Sequence, residues 1–157
     1  LLNQNAHLFF GSVRENLTLG SPLATDQELL NVLKLTGALS FVLDKKEGLD
    51  HQILEGGVGF SGGQRQALLL SRLLLRQPNI LLLDEPTAAI DDVSEKQLIE
   101  NLKGWLGQKT LVIATHRRAV LELVDRIIVV RDGKIVMDGP KEQVLGNTQT
   151  NIASTAS

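Results

Sequence analysis

Apolar positions change their period along the chain, and the changes mark out the elements. Leu29, Leu30 and Leu33 recur at helical spacing behind Thr25-Asp26-Gln27-Glu28, which has the threonine-to-glutamate capping pattern, so a helix is predicted there. A strand end and loop lead into a short helix around Val13 to Leu17, and Ala38 to Asp44 predicts another. Ser61-Gly62-Gly63-Gln64 repeats the capping pattern and opens a helix through Arg76; it is apolar over most of its surface, so it should be largely buried. Pro78 ends it. The pattern then alternates between strand and helix. Ile80–Leu83 reads as a fully buried strand, Asp92-Val93-Ser94-Glu95 as the cap of a helix to about Leu106, and Thr110–Ala114 as the next buried strand. Ile127–Val130 and Lys134–Met137 flank Asp132-Gly133, a two-residue hairpin signal. Pro140 is expected in the first turn of a last short helix, and the Thr/Ser/Asn-rich run from Asn147 reads as a disordered tail. The expected class is α/β: a helical subdomain over about 11–77, an α/β part over 78–146 and a tail over 147–157.

Composition narrows this picture. A chain of 157 residues with 43% hydrophobic content can bury one core. Its net charge of −2 makes no case for nucleic acid or an anionic membrane surface. Without cysteine there is no disulfide framework, which suits a cytoplasmic setting. The apolar runs are strand-sized or broken by Arg72 and Arg76, so none predicts a membrane span. No signal peptide is visible, and a start at Leu1-Leu2-Asn3-Gln4 gives the expectation of a chain cut from something longer.

Two segments carry the chemistry. The glycine-rich turn before Gln64 offers a hydroxyl, bare backbone amides and a helix dipole, which suit phosphate oxygens. The aliphatic strand Ile80–Leu83 ends on Asp84-Glu85. Adjacent side chains at a strand tip diverge and can hold different tasks: Asp84 a Mg²⁺ ion through its water shell, Glu85 the water attacking a γ-phosphate. Together they point to ATP. Yet no G-x-x-x-x-G-K-[ST] loop exists, and the sole Gly-Lys pair, Gly133-Lys134, lies in the hairpin. The triphosphate must therefore be held by sequence outside this chain, by another chain, or by both.

These motifs resemble the nucleotide-binding domain of ATP-binding-cassette (ABC) transporters, specifically its part after the phosphate loop. Ser61-Gly62-Gly63-Gln64 resembles the signature motif, with Phe60 where Leu is usual. Leu81–Asp84 resembles Walker B with Glu85 as catalytic carboxylate, and Ala88-Ala89-Ile90-Asp91 the D-loop. Thr115-His116 resembles the switch-histidine loop, and Gln4 with Leu8-Phe9 the Q-loop. The resemblance covers about residues 1–146 and implies a partial P-loop NTPase cassette. It also implies ATP and Mg²⁺ as ligands, and a head-to-tail dimer in which the signature turn closes on ATP held by the partner. Glu85 and His116 would then be catalytic, Asp84 and Gln4 would serve the metal, and Gln4, Ser61, Gly62, Gly63, Gln64 and Asp91 would serve the nucleotide. His7 and His51 match no catalytic position.

Phe10-Gly11-Ser12-Val13-Arg14-Glu15-Asn16-Leu17 resembles the segment after the Q-loop in exporters, and Glu55-Gly56-Gly57 the exporter X-loop that meets the coupling helices of the transmembrane domains. Leu35-Thr36-Gly37-Ala38, Gly48-Leu49-Asp50 and Ile53–Gly57 are similar to type I secretion exporters of RTX proteins and adhesins. Those work at the cytoplasmic face of the inner membrane with a periplasmic adaptor and an outer-membrane channel. Lipid, drug or bacteriocin exporters share such segments. A soluble DNA-repair ATPase of the same family would carry a long coiled coil between Q-loop and signature, and no heptad run stands between Gln4 and Ser61. Translation-factor relatives fit the exporter-like segments poorly. An inert binding module is the reading for the chain by itself.

Overall fold

The computed structural model describes residues 1–2 and 6–146, so Gln4 and the expected tail lie outside the described residues. Two compact units are present, Leu1–Ala119 and a second beginning at Val120. The helical segment and the strand–helix–strand portion that follows it thus share the first unit.

That unit starts with β1 (Gly11–Ser12) and α1 (Val13–Thr18), followed by α2 (Asp26–Leu35), α3 (Leu39–Leu43) and β2 (Gln52–Ile53). β1 and β2 pair antiparallel, Gly11 opposite Ile53 and Ser12 opposite Gln52. Next come α4 (Gly62–Leu75), β3 (Ile80–Asp84), α5 (Asp92–Leu106) and β4 (Thr110–Ala114). Three helices begin with reciprocal capping boxes, Ser12 with Glu15, Thr25 with Glu28 and Ser61 with Gln64. Leu8, Val13, Leu17, Leu29, Leu33, Val42, Ile53, Phe60 and Leu68 meet in one core beneath these helices. A buried hydroxyl pair, Thr36 Oγ1 to Ser71 Oγ at 2.7 Å, joins the end of α2 to the middle of α4. Burial on α4 is confined to Leu68, Leu70, Ser71 and Leu74, a narrower face than its apolar sequence suggested.

β3 and β4 run parallel in register from Ile80–Thr110 to Asp84–Ala114, with α5 as the crossover. Leu2 adds a parallel bridge on Leu83: its N–H donates to Leu82 O at 2.9 Å, and Asp84 N–H donates to Leu2 O at 3.0 Å. The expectation of fully buried strands is corrected here. Leu81 and Leu83 are buried, whereas Ile80, Leu82 and Val112 are 61%, 41% and 56% exposed. Successive strand residues point to opposite faces, and among the described residues only the Leu81–Leu83 face is covered. α5 is also capped one residue earlier than expected, by Asp91 rather than from Asp92.

The second unit is a hairpin, β5 (Arg126–Arg131) and β6 (Lys134–Pro140). Asp132 and Gly133 have φ of 50° and 72°, the left-handed pair a tight hairpin turn needs. Arg126 and Asp138 face each other across it through two contacts of 2.8 Å. Pro140 ends β6 instead of opening the last helix, which spans 141–146; Lys141 N–H donates to Asp125 O.

Candidate functional site

The site is built at the carboxyl end of the parallel pair, where open α/β sheets place their ligands. Glu85 follows β3 directly and its amide continues the ladder, donating to Ala114 O at 2.9 Å. It then turns sharply, with φ of 47°. A non-glycine residue held in the left-handed region is a strained conformation of the kind that gathers at functional sites. The turn aims the carboxylate across to the end of β4. Oε1 accepts the His116 backbone N–H at 3.1 Å and lies 2.7 Å from His116 Nδ1, while Oε2 accepts the Thr115 hydroxyl at 3.3 Å. Thr115 Oγ1 in turn accepts Arg117 N–H at 3.0 Å. The Glu85 side chain is 16% exposed and the His116 side chain 78%, so the carboxylate is sheltered beneath an open imidazole.

Asp84 and Glu85 both line a cavity of about 250 Å³ whose other walls include Leu2, His7, Gly56, Gly62, Arg65 and Gln66. No cluster of three or more His, Cys, Asp or Glu residues able to hold a metal is found among the described residues. One hard carboxylate at the wall of a small cavity nevertheless fits Mg²⁺, which takes one or two carboxylates and completes its shell with waters and substrate phosphates.

Ser61 caps α4, its hydroxyl accepting Gln64 N–H at 3.2 Å while Gln64 Oε1 accepts Ser61 N–H at 3.0 Å. Gly62 and Gly63 face the loop after β3. A Cβ on Gly63 would stand 2.7 Å from Ala89 O and 2.9 Å from Ile90 Cγ2, and one on Gly62 would stand 3.4 Å from Ala89 Cβ. A requirement for glycine at position 63 therefore exists inside this chain, apart from any phosphate. Asp91 is engaged with its own helix: Oδ1 accepts Val93 N–H and Ser94 N–H at 3.0 Å each, and Oδ2 accepts the Ser94 hydroxyl at 2.7 Å. The Ser94 amide and hydroxyl hold its carboxyl below the ordinary aspartate range. Glu85 and His116 are thus brought together, and Ser61, Gly63, Gln64 and Asp91 line a second cavity of about 410 Å³. Gln4 lies outside the described residues. His51 rests edge-on against Phe60 at 5.9 Å and pairs with Glu47 at 3.2 Å.

The family described as "ABC transporter" matches residues 1–88. This chain belongs to it. Over 145 residues, 92% of this chain, it is 35% identical to the heterocyst differentiation ATP-binding protein HepA of Nostoc sp.. Over an equal span it is 38% identical to a putative multidrug export ATP-binding/permease protein of Staphylococcus aureus. The chain spans 24% and 25% of the length of these relatives. A bacterial Atm1-family ABC exporter with ATP bound superimposes with a TM-score of 0.85 at 25% identity, covering 98% of this chain and 27% of that one.

Within this ABC chain the structure adds residues that motif reading passed over. Gln66 lies one turn inside α4 and reaches the loop after β3: Nε2 donates to Glu85 O at 2.7 Å, and Oε1 accepts Ala89 N–H at 3.3 Å. Arg117 follows His116 and reaches the same loop. Gln66 could have been suspected from its place two residues after Gln64; nothing in the sequence points Arg117 at the loop.

Proposed function

We propose that this chain is part of the ATP-hydrolysing domain of an ABC exporter, with Glu85 polarising the attacking water and His116 orienting it. The observation that carries this reading is the strained turn at Glu85, which sets a sheltered carboxylate against the backbone and ring of His116. A carboxylate so placed can take a proton from water, and the exposed imidazole is free on its outer side to meet a phosphate oxygen. Asp84, at the cavity wall, is the residue that would hold Mg²⁺ together with Gln4; the ion would supply charge neutralisation on the phosphates.

In this reading Ser61, Gly62, Gly63 and Gln64 present their amides and hydroxyl to ATP held by a second nucleotide-binding domain, head to tail, with Asp91 on the same side. Further partners are the transmembrane domains of the transporter, and the setting is the cytoplasmic face of the membrane. Among the described residues no helix is long and apolar enough to cross it. The cargo we favour is a protein or peptide exported as in type I secretion, with a periplasmic adaptor and outer-membrane channel, on the strength of the Leu35–Ala38 and Ile53–Gly57 segments. The relative whose name includes multidrug export supports a second reading, a drug cargo.

The test is ATP turnover by the complete protein beside its Glu85→Gln variant. Turnover should fall at least about a hundredfold, the scale of losing a general base, with ATP binding retained. Equal turnover in the variant would remove Glu85 from the chemistry.

A further inference from the structure

Residues 85–91 carry the proposed water-activating carboxylate at one end and the Asp91 cap at the other, yet they form no helix or strand. Their internal bonds are few: Ala88 N–H to Glu85 O at 3.3 Å and Ile90 N–H to Thr87 O at 3.2 Å. Glu85 at one end is tied to Ala114, Thr115 and His116, and Asp91 at the other to Val93 and Ser94, while two side chains from separate elements hold the backbone between them. From α4, the Gln66 amide bonds the Glu85 carbonyl with its NH₂ and the Ala89 amide with its oxygen. From the segment after β4, Arg117 Nη1 donates to Thr87 O at 3.3 Å and Ile90 O at 3.2 Å, and Nη2 donates to Asp92 Oδ1 at 2.6 Å. Arg117 Nε also stands 2.8 Å from Glu95 Oε1, off the N–H axis, so this is a charge contact more than a hydrogen bond. The Glu95 side chain is 4% exposed and that of Arg117 22%, so the fork is anchored at the base of α5.

We propose that Gln66 and Arg117 are positioning residues that grip loop 85–91 from two elements, so that Glu85, His116 and Asp91 keep one geometry. The inference rests on the ATPase reading above. Arg117 is the peptide neighbour of His116, whose amide and ring both bind Glu85, so a shift of that segment is felt at both the carboxylate and the loop carbonyls. Gln66 lies on the helix that Ser61 caps, so a displacement of the signature turn reaches the Glu85 peptide through one side chain. The residue types matter. A lysine at 117 would retain a charge for Glu95 but has a single compact head, which cannot serve two carbonyls and two carboxylates together. A glutamate at 66 keeps the shape and loses the donor for Glu85 O.

The experiment uses the complete ATPase and compares Arg117→Lys, Gln66→Glu, their combination and Glu85→Gln. For each, kcat and KM for Mg-ATP, Tm, and amide hydrogen exchange of the peptide spanning 85–91 are measured. Both single variants should lower kcat about tenfold to a hundredfold, the scale of a slightly misplaced catalytic group. KM should stay within about twofold, because the loss falls on the chemical step. Exchange across 85–91 should quicken while α2 and α4 keep their protection. The combined variant should lose less than the product of the two, since both act through one loop. Wild-type kcat in both single variants, with Glu85→Gln inactive, overturns the clamp and leaves the ATPase reading standing. A general loss of Tm and protection in step with kcat overturns it as well, showing a purely structural role. Turnover undiminished in Glu85→Gln overturns the ATPase reading and the clamp with it. Should Arg117→Lys fail to fold, Gln66→Glu carries the test with the same readouts.

Discussion

The Glu85 carboxylate accepts the His116 backbone amide at 3.1 Å and lies 2.7 Å from its ring Nδ1, so acid and imidazole are aligned by main chain as well as side chain. Because the amide bond survives a change of side chain, His116→Ala should leave Glu85 near its place while removing the outward-facing ring. ATP turnover should fall about a hundredfold with little change in Tm. His51→Ala should leave turnover intact, since that ring packs on Phe60 and pairs with Glu47, away from Glu85. Equal effects of the two substitutions on turnover would show that the ring at 116 is structural.

Gly63→Ala puts a methyl 2.7 Å from Ala89 O, and the opposing atom is backbone. The loop must shift, at a cost of about 1–3 kcal/mol. Gly104, in α5, has nothing within 4 Å of an added Cβ and no positive φ, so Gly104→Ala should stabilise by about 1 kcal/mol through helix propensity. Denaturant melts of the two variants check the opposite signs; a neutral Gly63→Ala would mean the loop is softer than its contacts indicate.

Acid should weaken the fold through its helix caps. Hydrogen bonds from Ser12 hold the Glu15 carboxyl below its ordinary value, those from Thr25 do so for Glu28, and those from Ser94 for Asp91. With folded-state values depressed, the unfolded chain binds more protons as pH falls. The stabilisation is therefore present above about pH 5 and is lost progressively below about pH 4. Asp91→Asn keeps a capping oxygen without a titrating group. Urea melts between pH 7 and 3 should show a shallower acid slope for this variant, and identical slopes would exclude Asp91 as a contributor.

Asn16 should be costly to remove although it lies far from the carboxylates in sequence. It is buried; Oδ1 accepts Phe9 N–H at 2.9 Å and Arg72 Nη2 at 2.8 Å, and Nδ2 donates to Phe9 O at 2.9 Å and Ser12 O at 3.1 Å. Arg72, whose guanidinium is pushed down from its ordinary value by burial, also binds Asn16 O and His7 O. Asn16→Ala removes the side-chain bonds to Phe9, Ser12 and Arg72 Nη2 and should destabilise by about 2 kcal/mol. A change below about 0.5 kcal/mol by denaturant titration would show that water replaces the side chain without loss.

Elements with local causes were legible. The Thr25 and Ser61 caps, the Asp132-Gly133 turn and the strand ending on Asp84 each follow from residues adjacent in sequence. Ser12-Val13-Arg14-Glu15 carries the same capping signal and could have been seen in the same way. Asp91 in place of Asp92 as the cap of α5 was a choice between two neighbouring aspartates, decided by which one adopts the extended backbone that caps require.

Chemistry attached to short segments was readable without the fold: a glycine turn entering a helix, paired acids at a strand tip, a histidine after the next strand. The tertiary structure decided which of these meet. The parallel register of β3 and β4 brings Glu85 to His116, and the φ of 47° at Glu85 turns its carboxylate toward it. It also placed Ala89 O against Gly63, joined Gln66 and Arg117 to one loop, and left alternate residues of an aliphatic run exposed. The physical reason is range. Capping and turn formation act within a few residues, whereas hydrogen bonds to loop carbonyls and burial of one sheet face depend on neighbours that only the packed chain brings close.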